Sequence, residues 1–417
     1  MLSMKAVIMA GGRGTRLQGV AKDIPKPMVP VLGRPVLQYQ IENLKSSGIT
    51  ELILIIGYLG AAVQEYFGDG KDFGVHIEYI VEKVPLGTAG SFFYLKDKVK
   101  EDFILVFGDL ILDVDWNRFM AFHRDRRASI TLYGHPNSHP GDSDVIVADE
   151  NGKVIKIEAK NKERPFYYDN FVNAGLYCIT PKLLKDIDIP QKTDLEKTIV
   201  SEQIEKGGVY AYRASEYVKD MGTPDRLYGV ASDMQRGIVP ARNLKNKQKA
   251  IFLVRDGILN IRKGFLNEKE QFELLPGTAE AIKVINTSVY LAIAVTNQPA
   301  AAREGRTFSE LENIHKKMQT ELGNAGAYVD DIFNCPLKRA AEKYNIDLSR
   351  SWYIGDTTAD IRTGRNAGMR TILIKSGEAG LDGKYDVPPD FEAGTLLDAV
   401  DVILRKVNIS EREKNGL

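Results

Sequence analysis

Short β-branched runs alternate with amphipathic stretches along the whole chain, and this alternation leaves few folds open. KAVIMA, ELILII, HIEYIV and FILVFGD read as buried strands in the first half, and KAIFLV, VYLAIAVTNQ, SWYIGD and RTILIKS repeat the pattern in the second. Helical stretches such as FSELENIHKKMQTEL separate them. Strands that alternate with helices pair in parallel, so α/β architecture is expected in both halves. A polar, basic stretch, MQRGIVPARNLKNKQ, interrupts the pattern. The expectation is therefore two domains, 1–235 and 249–417, joined by a linker at 236–248. A chain of 417 residues gives each enough length to bury its own core.

Charge and cysteine usage narrow the partners. Lys plus Arg and Asp plus Glu both number 56, so no net field draws the chain onto nucleic acid or an anionic membrane. The apolar stretches, such as ELILIIGYLGAAV, fall short of the roughly 20 residues a membrane helix needs. MLSMKAVIMAGG leaves no room for a signal h-region, and Cys178 and Cys335, 157 positions apart, make no disulfide framework. A cytoplasmic protein without nucleic-acid or membrane partners is expected, with a homo-oligomer left open.

The first strand runs directly into GGRGTRLQGVAKDIPKPM. Gly11, Gly12 and Gly14 allow close backbone approach to a ligand, and Arg16 and Lys26 supply positive charge, so a polyphosphate is the expected guest. No Gly-Lys-Ser/Thr follows, which excludes a P-loop, and the third glycine of a dinucleotide fingerprint is missing. Pro25, Pro27 and Pro30 keep the segment extended.

MAGGRGTRL followed by PKPM resembles the signature of the sugar nucleotidyltransferases, which make NDP-sugars from an NTP and a sugar 1-phosphate. Later landmarks fall in the family's order over roughly the first 235 residues. EKVPLGTAG resembles the nucleobase and ribose loop, FGD a metal-binding strand end, FVNAGLY the sugar-binding strand and VKDMGTP a second metal site. The resemblance implies a Rossmann-like mixed sheet, with Ala10, Gly11, Gly12, Gly14, Thr15, Glu82, Gly87 and Thr88 around the nucleotide.

In that family a sugar phosphate oxygen attacks the α-phosphorus in line while pyrophosphate leaves, so catalysis is positioning and charge neutralisation. The resemblance gives Asp109 and Asp220 the role of holding Mg²⁺, a hard cation suited to carboxylate oxygen. It gives Lys26 the α-phosphate and the sugar phosphate, and Arg16 the β- and γ-phosphates. Glu82 can only accept hydrogen bonds, which suits the donor pair of guanine; the amino group of cytosine also satisfies it. The chain looks most similar to guanylyltransferases acting on heptose or mannose 1-phosphate. On the sugar side, Glu158 and Lys160 resemble the family's Glu-Lys pair, although Ala159 separates them, and Asn173 and Gly175 are expected beside the ring. His135 and His139 lie in a proline-rich stretch read as a loop without a metal. A cytidylyltransferase acting on a sugar or polyol phosphate, a bifunctional transferase/phosphatase and a non-catalytic sugar-phosphate sensor stay as alternatives.

From Lys249 to about residue 375 the chain resembles haloacid dehalogenase-type phosphatases, particularly those for heptose bisphosphate or histidinol phosphate. FLVRDGILN, VTNQ and IGDTTADIRTGRNAGM carry the match and imply a smaller parallel α/β domain. The family's Asp-x-Asp supplies a nucleophile and a general acid. Val254 stands in the nucleophile's place, and Asp256 keeps the second. Thr296 matches the phosphate-binding hydroxyl, and Asp356 and Asp360 match the acids that complete a Mg²⁺ site, here expected to bind weakly. NCPLKRAAEKY lacks the zinc loop and its lysine motif, so Lys338 does not replace that lysine and Cys335 has no ligand partner at zinc spacing. A domain without phosphatase activity is expected.

Overall fold

Strands buried on both faces read as continuous apolar runs, and two such runs form interior strands of two sheets. In the strand Lys5–Met9, Ala6, Val7 and Ile8 are wholly buried, as are Ala250 to Leu253 in Lys249–Val254. The computed structural model describes residues 4–12, 24–160, 164–262, 266, 268–296, 308–334 and 337–414.

The chain divides into two units. The first comprises residues 1–135, 144–159 and 172–243. Its sheet runs Val154–Glu158, Val145–Ala148, Val172–Ile179, Phe103–Phe107, Lys5–Met9, Glu51–Ile56, His76–Val81, with Ile130–His135 and Val209–Arg213 branching from Val172–Ile179. Lys5–Met9 pairs in parallel with Glu51–Ile56 and Phe103–Phe107, whereas Val172–Ile179 enters antiparallel. The sheet is therefore mixed. A separate antiparallel ladder joins Leu110–Asp113 to Tyr217–Asp220.

The second unit comprises 136–143, 160–171 and 244–417. Its sheet is parallel throughout, in the order Asp331–Asn334, Tyr290–Thr296, Lys249–Val254, Trp352–Gly355, Arg370–Ile374, Phe391–Ala393. Segments 136–143 and 160–171, expected in the first domain, pack on the helix Phe308–Asn324. The Tyr168 amide donates to Thr320 Oγ1 at 2.8 Å and the Asn170 amide to Gln319 Oε1 at 3.2 Å. A Cβ at Gly323 would stand 2.5 Å from Pro140 Cγ.

The expected linker at 236–248 is corrected by its own apolar residues. Ile238, Val239 and Leu244 are buried, Ile238–Ala241 forms a helical turn, and Asn243 Nδ2 donates to Asp113 Oδ1 at 2.6 Å. The basic residues that made the stretch look like a tether alternate with groups the fold buries. The division between units falls after Asn243.

Candidate active site

The Pro-Lys-Pro segment folds as a tight turn, Lys26–Met28, because Pro25 holds φ at −65° and the Met28 amide returns to the Pro25 carbonyl at 2.7 Å. Pro27 packs at the C-terminal end of Phe103–Phe107, where a Cβ on Gly108 would meet Pro27 Cγ at 3.2 Å and the Met9 carbonyl at 3.0 Å. Glycine at 108 thus lets the turn close on the strand ends. The turn delivers Lys26 Nζ to Asp109 Oδ2, with which it forms an ion pair.

Asp220 arrives by a different route. It pairs with Leu110 in the ladder Tyr217–Asp220 to Leu110–Asp113, and the Met221 amide donates to the Asp109 carbonyl at 3.2 Å. Directly after it, Thr223 caps the helix Pro224–Gln235, whose first residue is proline, as helix N-termini favour. That helix places Arg226 on Asp220, with Nη1 at 2.6 Å from Oδ2 and 2.9 Å from Oδ1. Burial alone would raise the Asp220 carboxyl. The hydrogen bonds from Arg226 and the Gly222 amide, with the charges of Arg226 and Lys26, outweigh it and hold the group below its ordinary value. Asp220 is therefore ionised at neutral pH. Asp220 ends the ladder opposite Leu110, Asp109 directly precedes that residue, and both carboxylates are partly open to solvent; carboxylate oxygen is the hard donor that Mg²⁺ takes.

Of the residues expected around the nucleotide, Ala10, Gly11 and Glu82 lie at neighbouring strand ends. The Ala10 amide donates to the Ile55 carbonyl at 2.7 Å, and a Cβ on Gly11 would lie 3.4 Å from Gly57 N and 3.5 Å from Glu82 Oε2, while Gly12 faces open space. Ser91 Oγ donates to Glu82 Oε1, which fixes that carboxylate and occupies one of its oxygens. Gly87 has φ +80°, and a Cβ there would stand 2.5 Å from the Thr193 carbonyl, so only glycine fits on two counts. Thr88 Oγ1 accepts from the Leu195 amide at 2.7 Å, which gives this hydroxyl a structural partner. Gly14, Thr15 and Arg16 lie outside the described residues.

Among the sugar-side residues, Asn173 is held on both sides: Nδ2 donates to the Tyr177 hydroxyl at 2.8 Å and Oδ1 accepts from the Gly175 amide at 3.2 Å. Gly175 has φ +77° at a register shift in Val172–Ile179, and a Cβ there would meet Phe107 Cδ2 at 2.9 Å. Its glycine is thus demanded by backbone and by Phe107. Glu158 pairs with Lys156 at 2.5 Å, and Lys160 is exposed in the segment that groups with the second unit. His135 ends its strand and His139 precedes the turn Pro140–Asp142.

Sequence reasoning did not single out Arg226, Ser91, Tyr177 or Glu196. The Tyr177 hydroxyl hydrogen-bonds Glu196, which sits in a π-helical turn, Leu195–Val200. Burial raises the Glu196 carboxyl, with neighbouring Asp194 and Asp144 adding to it against the tyrosine hydrogen bond; burial beside Glu196 pushes Tyr177 well above its ordinary value. A lone acid inside LEKTIV was the available signal for Glu196.

In the second unit, Val254 ends the central strand and is 8% exposed. Asp256 is bound by Arg255, with Nε to Oδ1 at 3.1 Å and Nη2 to Oδ2 at 2.8 Å. Thr296 ends the neighbouring strand, is 2% exposed, and its hydroxyl has no hydrogen-bond partner among the described residues. Asp360 Oδ2 accepts from the Thr357 hydroxyl at 2.7 Å and amide at 3.2 Å in a capping box that starts the helix Thr358–Asn366. Among the described residues no group of three His, Cys, Asp or Glu side chains gathers at metal-binding distance; Arg255 binds Asp256, Arg262 lies against Asp356, and Asp360 caps a helix. Lys338 is exposed on the helix Lys338–Lys343, and Cys335 lies outside the described residues. No helix among the described residues is long and apolar enough to cross a membrane.

Two family models match separate parts of the chain. A family model described as nucleotidyl transferase matches residues 5–237, and a haloacid dehalogenase hydrolase-like model matches 336–399. Mannose-1-phosphate guanylyltransferase of Mycobacterium tuberculosis is 32% identical over 255 residues, 60% of this chain and 70% of the relative. D-glycero-alpha-D-manno-heptose 1-phosphate guanylyltransferase of Campylobacter jejuni is 32% identical over 225 residues, 54% of this chain and 97% of the relative. A crystal structure of HddC from Yersinia pseudotuberculosis complexed with GMP-PN superposes with TM-score 0.49 at 25% identity, covering 55% of this chain and 99% of that one.

Proposed function

The chain belongs to the nucleotidyl transferase family, and from that premise we propose that its first unit transfers a nucleoside monophosphate from an NTP, GTP favoured, to a sugar 1-phosphate such as heptose 1-phosphate, releasing pyrophosphate and forming an NDP-sugar. The observation that carries this reading is the ion pair of Lys26 with Asp109 at the strand ends, with Asp220 standing opposite the residue that follows Asp109. Lys26 supplies a fixed positive charge where an α-phosphate gains negative charge, and Asp109 and Asp220 hold the cation that accompanies the triphosphate. Mg²⁺, when bound, supplies neutralisation of phosphate charge. Arg226 keeps Asp220 ionised and oriented before the nucleotide arrives.

Support for guanine comes from Glu82, which keeps one carboxylate oxygen beside Gly11 while Ser91 binds the other, and from the two guanylyltransferase relatives. Support for a spent phosphatase comes from Val254 at the nucleophile's place and from Asp256 locked by Arg255. The test is a screen of GTP, CTP, UTP and dTTP against heptose, mannose and glucose 1-phosphates, following pyrophosphate. Release with GTP and a manno-configured sugar phosphate is expected. Release with CTP alone would favour the cytidylyltransferase, and none with any pair would favour a sensor.

A further inference from the structure

Arg262 turns its guanidinium onto Asp356, an acid whose side chain is fully buried. Nη2 lies 3.3 Å from Asp356 Oδ1 and 3.5 Å from the main-chain oxygen of Asp256, and Nη1 donates to Glu378 Oε1 at 2.5 Å. The other Asp356 oxygen accepts from the Glu378 amide at 3.0 Å. The Asp356 side chain is 0% exposed, and a Cβ on Gly257 or Gly377 would come within 2.3 Å of its Oδ2. A carboxylate so enclosed stays folded only with its charge compensated.

A phosphatase of this fold would meet that need with a divalent ion, and with Arg262 in place the residues present do not fit one. Val254 puts an apolar group where an anionic donor is required, Asp256 is bound through both carboxylate oxygens by Arg255, and Asp360 caps a helix. Asp356 Oδ1 and Asp256 O are both held by one guanidinium nitrogen of Arg262. We propose that Arg262 is a built-in replacement for the divalent ion, so that the acidic pocket of the second unit is compensated by the chain itself and takes up neither Mg²⁺ nor Mn²⁺. A tethered cation is present at any metal concentration, so the stability of this unit is uncoupled from the ion supply that the first unit's reaction draws on.

Titration of the full chain with Mn²⁺, without nucleotide and with free Mn²⁺ read by its paramagnetic signal, tests this. The background carries Asp109→Asn and Asp220→Asn to remove the first unit's carboxylates. With Arg262 intact, no site should fill at about 1 mM Mn²⁺, the range of weak protein sites. Arg262→Asn should gain one site per chain, lost again on adding Asp356→Asn, and Arg262→Lys, which keeps the charge, should gain none. If Arg262→Asn lowers the melting temperature, Mn²⁺ should restore it. A site already present with Arg262 intact and removed by Asp356→Asn would overturn the inference. So would a folded Arg262→Asn that gains nothing, a lowered melting temperature that Mn²⁺ leaves unchanged, or an Arg262→Lys that binds as Arg262→Asn does.

Discussion

Lys26 Nζ and Asp109 Oδ2 form an ion pair between residues 83 positions apart, across the turn Lys26–Met28 and the C-terminal end of Phe103–Phe107. Such a pair at a partly open site is worth little to the fold. On the proposed reaction its value lies in holding an ammonium at a fixed point before substrate binds. Lys26→Ala should therefore lower kcat by at least roughly a hundredfold, the scale of one lost transition-state charge contact, with the melting temperature nearly unchanged. Steady-state pyrophosphate release checks this, and a pure KM effect would reduce Lys26 to a binding group.

Base choice should follow Glu82. Its Oε1 is fixed by Ser91, so a base would meet the remaining acceptor. Glu82→Gln presents an amide donor to the donor pair of guanine and should weaken GTP more than UTP, by on the order of 1–3 kcal/mol. Equal losses of kcat/KM for every NTP would mean that Glu82 serves the ribose or the loop that Ser91 opens.

What could be read from the sequence follows from how far each signal reaches. The strands at Lys5–Met9 and Lys249–Val254 were legible because burial on both faces writes itself as an uninterrupted apolar run. Lys26, Asp109 and Asp220 were legible from ordered motifs, each only a few residues long. Arg226 was missed although it stands only six positions from Asp220, because GTPDR reads as a helix start and not as a site. Tyr177 with Glu196, and Arg262 with Asp356, depend on pairings between distant elements that no local pattern encodes. The allocation of 136–143 and 160–171 to the second unit was hidden for the same reason: its contacts are made at Gln319, Thr320 and Gly323.

Val254→Asp alone should not produce a phosphatase. The new carboxylate would enter a pocket where Arg255 already binds Asp256 and Arg262 binds Asp356, and the family's motif lysine is absent. Losses that act on one transition state are not additive, so repairing one leaves most of the barrier in place. Phosphate release from sugar phosphates should stay at background for both wild type and variant. Robust turnover in Val254→Asp would show that the valine by itself silences the domain.

His315 gives the second unit a pH signature. Burial, then the Arg255 charge, lowers its imidazole from 6.5 to about 3, and Arg255 Nη1 lies 3.4 Å from His315 Nε2. A base with a depressed folded value takes up its proton on unfolding, so its stabilising contribution is present above pH 6.5 and is lost as pH falls towards 3. Stability to unfolding should drop between pH 7 and pH 4, and His315→Gln, which keeps an acceptor for Arg255, should flatten that drop by on the order of 1–3 kcal/mol. Parallel curves for the two proteins would remove His315 as the cause.

The most direct measurement of the central account is pyrophosphate release from GTP and a manno-configured sugar 1-phosphate by the wild type, Asp109→Asn and Asp220→Asn, each with and without Mg²⁺. The ladder of Leu110–Asp113 with Tyr217–Asp220 sets Asp220 opposite the residue that follows Asp109, and on the proposed reading each acid should be needed and neither should substitute for the other. The account predicts Mg²⁺-dependent release by the wild type and a loss of at least roughly a hundredfold in either variant, with both variants folded. Turnover unchanged in Asp109→Asn or in Asp220→Asn would contradict it.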